Sequence, residues 1–516
     1  MVQKLEVVKP NVSRLRSVLS QVIACLSLNV MLLGLALAVG FPTILTPELL
    51  NSNNELSLTD SQASWLGSMG FLTQPFGAVL SGSLIDYFGR KKSTFMVNFP
   101  HIVAWILVYF SSSVPMLFIA NGLLGFGTGL MEAPLNAYIG EITEPSIRGI
   151  LSSSTQLYYS GGTLLIYFLG KIITWREAAL VSLGAPIVTM MLIIWVPETP
   201  VWLLSQGREK EALKSLCFLR GWTKPENVRE EFDQLTIYCK QLQRCVICCK
   251  TEDDRIFDCE HTKVNFIKRI YLKFRYVLMA KETLRPFTML MMYFMFVCMT
   301  GLGPIRPNMI NICGAFGMAY DGKNIAVMVG IISFVTSGLL VLLIRILGKR
   351  KLGISSMFST GLMCMALSIY AGNNLEASVF SFDISTFPKE SSYIPLVLLY
   401  VLTFCAGFAT SMPWILLGEV FPFRSRAFAQ GVLAASAYVF MFIGSKTFLN
   451  FERGLKLSGA FAIYAAFGYA GAFYLYFFLP ETEGKTLQEI EPYFSGKFKT
   501  FADDPFINFF KLLKIK

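Results

Sequence analysis

VMVGIISFVTSGLLVLLI, Val327 to Ile344, runs without a charged residue over nearly the ~20 residues that a helix needs to cross a bilayer's hydrocarbon core. It is apolar on every face. An amphipathic soluble helix would keep a polar stripe, and a membrane β-strand would alternate over about ten residues, so the stretch fits neither. VMLLGLALAV, Val30 to Val39, is built the same way. Backbone polar groups find no water in lipid, so such stretches must be helices that satisfy their own hydrogen bonds.

Working outward, further apolar blocks give spans at 20–42, 64–84, 94–112, 115–137, 152–173 and 179–196, then 287–303, 325–347, 354–371, 394–417, 428–447 and 459–479, about twelve in all. The composition agrees: 54% hydrophobic and only 15% charged over 516 residues, which cannot clothe a soluble surface. The one long polar stretch, 201–285, divides the chain and holds a helical pattern in GREKEALKSLCFLRG. The expected organisation is an all-α membrane protein: an N-terminal six-helix bundle at 1–200, a linker with short helices at 201–285, a C-terminal six-helix bundle at 286–482 and a tail at 483–516. Matching halves suggest a duplication, legible only as motif echoes.

GRKK after the second span, RILGKRK after the eighth and FRSR after the tenth fall on one face, with the linker and both termini; NSNNELSLTDSQAS, on the other face, lacks positive charge. The positive-inside rule makes the basic face cytoplasmic and the protein a multi-pass one of the cell membrane. The net charge of +11 is then mostly topology and basic attraction to anionic lipid; no nucleic-acid motif accompanies it. The run Val22 to Val39 is too long for a signal-peptide core, so the first helix is expected to be retained.

The 11 cysteines are scattered and imply no disulfide framework. Cys239, Cys245, Cys248, Cys249, Cys259 and His261 gather in the linker, but without a second CxxC at ribbon spacing they read as free or lipidated thiols, not a metal site. Asn11-Val-Ser13 matches a glycosylation sequon on what is expected to be the cytosolic side. No P-loop, HExxH or GxSxG occurs, so neither an enzyme nor a cofactor is implied.

The informative motifs sit at helix ends. In GSLIDYFGRKK, Gly82 permits close helix approach, Asp86 can accept hydrogen bonds or face a helix N-terminus in the other half, Gly89 turns the chain, and Arg90 stays outside the membrane. Glu141 and Arg148 in YIGEITEPSIRG, and Glu419, Arg424 and Arg426 in GEVFPFRSRAFAQG, supply carboxylates and guanidiniums that pair bidentately across moving helices. Such a clasp would close an inner gate; static anchoring at the interface is the plainer reading.

Together with SWLGSM from Ser64, PETPVWLLSQGREKEA from Pro197, MPWILLGEVFPFRSR from Met412 and PETEGKTLQEIE from Pro480, these stretches resemble the sugar porters of the major facilitator superfamily, especially the insect facilitated trehalose transporter-like group, over nearly the whole chain. The resemblance implies the major facilitator fold, alternating access by rocking halves, and a sugar cargo. It places Glu198, Pro413 and Glu481 among the gating residues. It puts Gln156 of STQLYYSGG and Trp414 at the sugar, an amide for hydroxyls and a flat apolar face for the ring, with Thr300 as a third contact.

The seventh span departs from the family, with Val297, Cys298, Thr300, Gly301 and Gly303 in place of a Gln-Gln pair, Ser-Gly and an Asn; the eleventh has Ala437 for an asparagine. Each missing amide costs about 1–3 kcal/mol when a hydroxyl goes unpaired, so ordinary glucose affinity is not expected. Asn121, Val201 and Arg345 replace a family arginine, arginine and aspartate and suggest a retuned gate. Arg306 near the outer end either snorkels to the interface or favours an anionic or larger cargo. No Asp or Glu lies between Glu6 and Glu48, where proton-coupled members carry a carboxylate, so uniport is the simpler expectation. A facilitative carrier of a sugar or polyol, with trehalose and glucose as the candidates, is the leading reading; a transporter-like receptor with little or no turnover is the alternative.

Overall fold

The computed structural model describes residues 14–50, 56–242, 281–318, 320–375, 392–421, 426–483 and 494. The first six passes are α1 (Arg14–Leu49), α2 (Asp60–Phe88), the broken pair α3 (Arg90–Met96) and α4 (Asn98–Tyr109), α5 (Val114–Leu130) continued by α6 (Glu132–Ile142), α7 (Pro145–Ile172), and α8 (Trp175–Ser182) continued by α9 (Gly184–Trp195). Three short helices follow on the basic face: α10 (Pro200–Ser205), α11 (Glu209–Leu219) and α12 (Arg229–Leu242). The linker helix expected in GREKEALKSLCFLRG is α11. The second six passes are α13 (Lys281–Cys298) bent into α14 (Leu302–Ile305) and α15 (Met309–Ala315), then α16 (Gly322–Leu347), α17 (Lys349–Asn374), α18 (Ile394–Glu419) and two passes within α19 (Arg426–Phe478). Among the described residues no named strand forms, only isolated bridges Leu50–Leu58 and Met318–Ser392.

Among the described residues, seven helices meet the length and hydropathy of a membrane span, and the bent α13–α15 segment makes an eighth. The remaining passes are α2, α7 and α3–α4, together with the second pass of α19. Lys456, with φ 63°, breaks α19. At 29 and 28 residues, α2 and α7 extend beyond the ~30 Å core at ~1.5 Å per residue.

Three expected boundaries change for stated reasons. The seventh span, expected at 287–303, loses its helix at Cys298, because Gly301 takes φ 63°, and then bends by 49° through Pro304 and Pro307 to end at Ala315. The third span starts directly at Arg90, because Gly89 at φ 87° turns the chain without a loop. The eleventh and twelfth spans are joined at a single residue rather than by the expected loop.

Small residues set the spacing inside the first half. A methyl built on Gly77 would strike the Phe126 carbonyl, one on Gly125 the Gly70 carbonyl, and one on Gly129 the Gln74 carbonyl. The backbones of α2 and α5 therefore touch, as the close-approach rule for membrane helices requires. Asn121, buried at the same contact, donates from Nδ2 to the Leu66 carbonyl at 2.7 Å and pins the pair.

The core is divided unevenly. Towards the face opposite the basic loops, one cluster joins both halves, with Phe41, Leu66, Trp105 and Leu124 packed with Ile305, Leu402 and Phe461. Towards the basic face the first half has its own cluster around Leu28, Tyr138 and Ile193, and the second half another around Leu290, Leu416 and Leu475. A small contact of Ala78 with Ala434, Ala435 and Tyr438 links them there. Polar contacts reinforce the closure at the face opposite the basic loops: Lys323 pairs with Glu48 at 2.7 Å, Lys446 donates to Ser64 at 3.1 Å, and Arg453 lies 3.8 Å from Asp60.

Candidate functional site

Between the halves lies a cavity of about 210 Å³, with α1, α2, α5, α6 and α7 on one wall and α13, α14, α16, α18 and α19 on the other. Gln156 and Trp414, the residues expected to contact cargo, both line it, from opposite halves. The Ser411 hydroxyl donates to the Gly407 carbonyl at 2.8 Å and reaches Gln156 Oε1 only at 3.5 Å, so the Gln156 amide retains its hydrogen-bonding capacity. Trp414 is held edge-on by Phe294, with ring centroids 4.8 Å apart, and leans on Tyr438 at 5.9 Å.

Thr300 is placed elsewhere. It is 2% exposed, donates to the Tyr464 carbonyl at 2.7 Å and is absent from the cavity lining. The unwinding around Gly301 turns it towards α19 and spends its hydroxyl on backbone. The same unwinding carries Arg306 into the cavity wall, where Nη1 donates to the Tyr159 hydroxyl at 3.3 Å and the Thr43 hydroxyl donates to the Arg306 carbonyl at 3.2 Å. The snorkelling expected of Arg306 is not what the structure holds.

Two cavity residues escaped the sequence reading. Gln74 is 2% exposed and its Oε1 has no partner; a lone amide in the apolar run GFLTQPFGAV was the available signal. Glu132 heads α6 and accepts a short hydrogen bond from the Tyr438 hydroxyl across the halves. Five further hydroxyls share one habit: Ser160, Thr163, Ser333, Ser337 and Thr410 donate to carbonyls of their own helices, at 2.8–3.2 Å. Their protons are committed and their lone pairs remain as acceptors, which suits a ligand rich in O–H donors.

The expected gating residues resolve into two matched clusters at the basic face. In the first, Gly89 brings the α3 N-terminus to Glu198, which accepts from the backbone N–H of Arg90 at 3.0 Å and of Lys91 at 3.0 Å. Arg90 grips Glu141 through Nε at 3.0 Å and Nη2 at 2.6 Å. In the second, Gly348 at φ 79° brings the α17 N-terminus to Glu481, which accepts from Lys349 N–H at 3.0 Å and Arg350 N–H at 3.1 Å, while Lys349 Nζ pairs with Glu419 at 2.6 Å and Glu483 at 2.9 Å. Gly89, Arg90, Glu141 and Glu198 thus correspond to Gly348, Lys349, Glu419 and Glu481. The motif echoes read in the sequence recur as matched contacts in the two halves.

Every pair named in these clusters lies within one half, so the expected clasp between halves is not formed by them. Arg345 stands at the position of Asp86 and is exposed. The Asp86 carbonyl accepts from Trp202 Nε1 at 3.4 Å. The side chains of Arg148 and Arg426, all of Arg424, and linker residues Cys245, Cys248, Cys249, Cys259 and His261 lie outside the described residues. Cys239 is described, buried against α10 with Sγ 3.8 Å from the Val201 carbonyl. Pro413 is buried in α18 beside Trp414. Burial pushes the Glu198 carboxyl above the ordinary carboxylate range, opposed by the backbone amides of Thr199, Lys91 and Arg90 and the Arg90 charge.

The comparisons agree with this architecture. The sugar (and other) transporter family model matches residues 41–494. The facilitated trehalose transporter Tret1 of Bombyx mori is 29% identical over 478 residues, 92% of this chain and 86% of that one; that of Polypedilum vanderplanki is 27% identical over 509 residues, 97% and 92%. Among solved structures, the proton:xylose symporter XylE bound to 6-bromo-6-deoxy-D-glucose superposes with a TM-score of 0.65 at 20% identity, covering 93% of this chain and 99% of that one. A partially occluded inward-open XylE from E. coli gives 0.66 at 20% identity over 91% and 99%. With a family match over most of the chain and the major facilitator fold around a central cavity, this multi-pass membrane protein belongs to the sugar (and other) transporter family and is not an enzyme.

Proposed function

We propose that the chain is a facilitative carrier of a sugar or related polyol, working by alternating access as residues 1–200 and 286–482 rock against each other, with 201–285 as linker and 483–516 as tail. The observation that carries the reading is the cavity between the halves, where the amides of Gln74 and Gln156 and a row of hydroxyl acceptors face a Trp414 ring. Hydroxyls find donors and acceptors there, and the apolar ring face finds the indole. The relatives are named facilitated trehalose transporters, which favours a disaccharide or hexose cargo. The separate cores towards the basic face and the shared core opposite suit two bodies hinged about a central site.

Uniport is favoured because α1 holds no carboxylate before Glu48, near its outer end, and because Glu132, the carboxylate of the cavity, is already engaged by Tyr438. Uptake of labelled trehalose, glucose and a polyol into proteoliposomes of the full chain tests this. Internal sugar should stop at the external concentration and ignore an imposed pH gradient. Accumulation above it, driven by acid outside, would replace uniport with proton coupling through Glu132.

The basic face is proposed to be cytoplasmic, with both termini there, in the plasma membrane. Tags on either terminus should stain only after permeabilisation, and surface staining of intact cells would reverse the orientation.

A further inference from the structure

We infer that the cavity takes a monosaccharide bearing one carboxylate, a sugar acid of the hexuronate type, with Arg306 as the group that reads its charge; this deepens the carrier reading and rests on it. Arg306 is the one cationic side chain among the residues lining the cavity. Among the described residues no carboxylate pairs with it, and its hydrogen-bond partner is the neutral Tyr159 hydroxyl. A half-buried guanidinium bonded to one hydroxyl is an unfinished arrangement: four further N–H donors remain, in a planar fork that matches a carboxylate. The arrangement is completed when cargo brings the anion.

Glu132 lines the same cavity, so its charge must be weighed. Pro307, next to Arg306, lies against Gly67 of α2, whereas Gly129, one turn before Glu132, lies against Gln74 and Ala78 of α2. From Gly67 to Ala78 is roughly 16 Å along the helix at ~1.5 Å per residue. A cargo carboxylate in direct contact with the guanidinium at ~3 Å therefore interacts with Arg306 more strongly than the more distant Glu132 does. Glu132 accepts from the Tyr438 hydroxyl and Arg306 donates to the Tyr159 hydroxyl, so each charge is held by its own phenol. Between them the amides of Gln74 and Gln156 are left for the sugar hydroxyls. A single cation suits a single negative charge, which favours a carboxylate over a doubly charged phosphate ester.

The arrangement also explains the amides missing from the seventh span. Cys298 and Val297 line the cavity where a neutral sugar would want donors, and the charge-assisted contact of Arg306 compensates for them.

The test uses the full chain in proteoliposomes, with D-glucuronate and D-glucose as probes. Glucuronate should half-saturate uptake at about a tenfold lower concentration than glucose, the factor for the lower bound of one charge-assisted bond. Its influx should quicken under an inside-positive potential, because it carries charge. In Arg306→Gln the glucuronate-to-glucose preference should fall to about one, whatever the total uptake, and Arg306→Lys should retain part of it. Glucose carried without a preference for glucuronate, or a preference intact in Arg306→Gln, overturns the inference and leaves the carrier reading standing. If neither probe is carried, the trehalose and polyol uptake described above decides the carrier reading, and equilibrium binding of labelled glucuronate to the purified chain decides the Arg306 site. Saturable binding lost in Arg306→Gln supports the Arg306 site; its absence overturns it.

Discussion

Trp414→Ala lowers uptake of the transported sugar by on the order of 100-fold at matched membrane levels, through both turnover and affinity. The indole faces the cavity from α18 immediately after Pro413, wedged between Phe294 of α13 and Tyr438 of α19. Its loss removes an aromatic face worth about 1–3 kcal/mol to a stacked ring and leaves a void where three helices meet. The void also loosens the seat of Tyr438, whose hydroxyl reaches Glu132 in the other half, so the motion between halves suffers together with binding. Gln156→Ala is the milder companion: one hydrogen bond of about 1.4 kcal/mol, hence about a tenfold higher KM with kcat little changed. Initial rates over a range of sugar concentrations separate the two; equal effects on KM alone would mean that Trp414 only lines the site.

Glu198→Ala and Glu481→Ala should each destabilise the detergent-purified protein by about 2–4 kcal/mol, and by similar amounts. Each carboxylate caps a helix N-terminus on a tight glycine turn, so removing it strands two backbone N–H groups. In the first cluster Arg90 keeps Glu141, and in the second Lys349 keeps Glu419 and Glu483, so the charges are not orphaned. Glutamine at either position retains an acceptor oxygen and should recover most of the loss. Thermal unfolding of the four variants checks this, and strongly unequal losses from the two alanines would contradict the equivalence of the clusters.

The spans were legible because a bilayer demands long apolar runs, and Val327–Ile344 can be little else. The clusters were half legible: GRKK, Glu141 and Glu198 were found, whereas Gly348 and Lys349 were passed over although GKRK repeats GRKK. Which carboxylate meets which amide depends on the tilt of neighbouring helices, which a linear pattern does not contain. Gln156 and Trp414 were found through their motifs. Thr300 was misplaced and Arg306 undervalued for one reason: Gly301 at φ 63° unwinds the seventh pass, and helical periodicity stops predicting facing from there on. Gln74 and Glu132 face the cavity because α2 and α5 touch at Gly77, Gly125 and Gly129, a rotation that was not inferred from the glycines.

The account stands most directly on whether one site alternately faces both sides of the membrane. Counterflow measures this: proteoliposomes of the full chain are loaded with unlabelled sugar, diluted into labelled sugar at a trace concentration, and followed with no net gradient of protons. The account predicts a transient overshoot of internal label, reduced by Gln156→Ala and all but lost in Trp414→Ala. Saturable binding of the same sugar with no overshoot in the parent protein would contradict it, and would make the chain a receptor built on a transporter's fold.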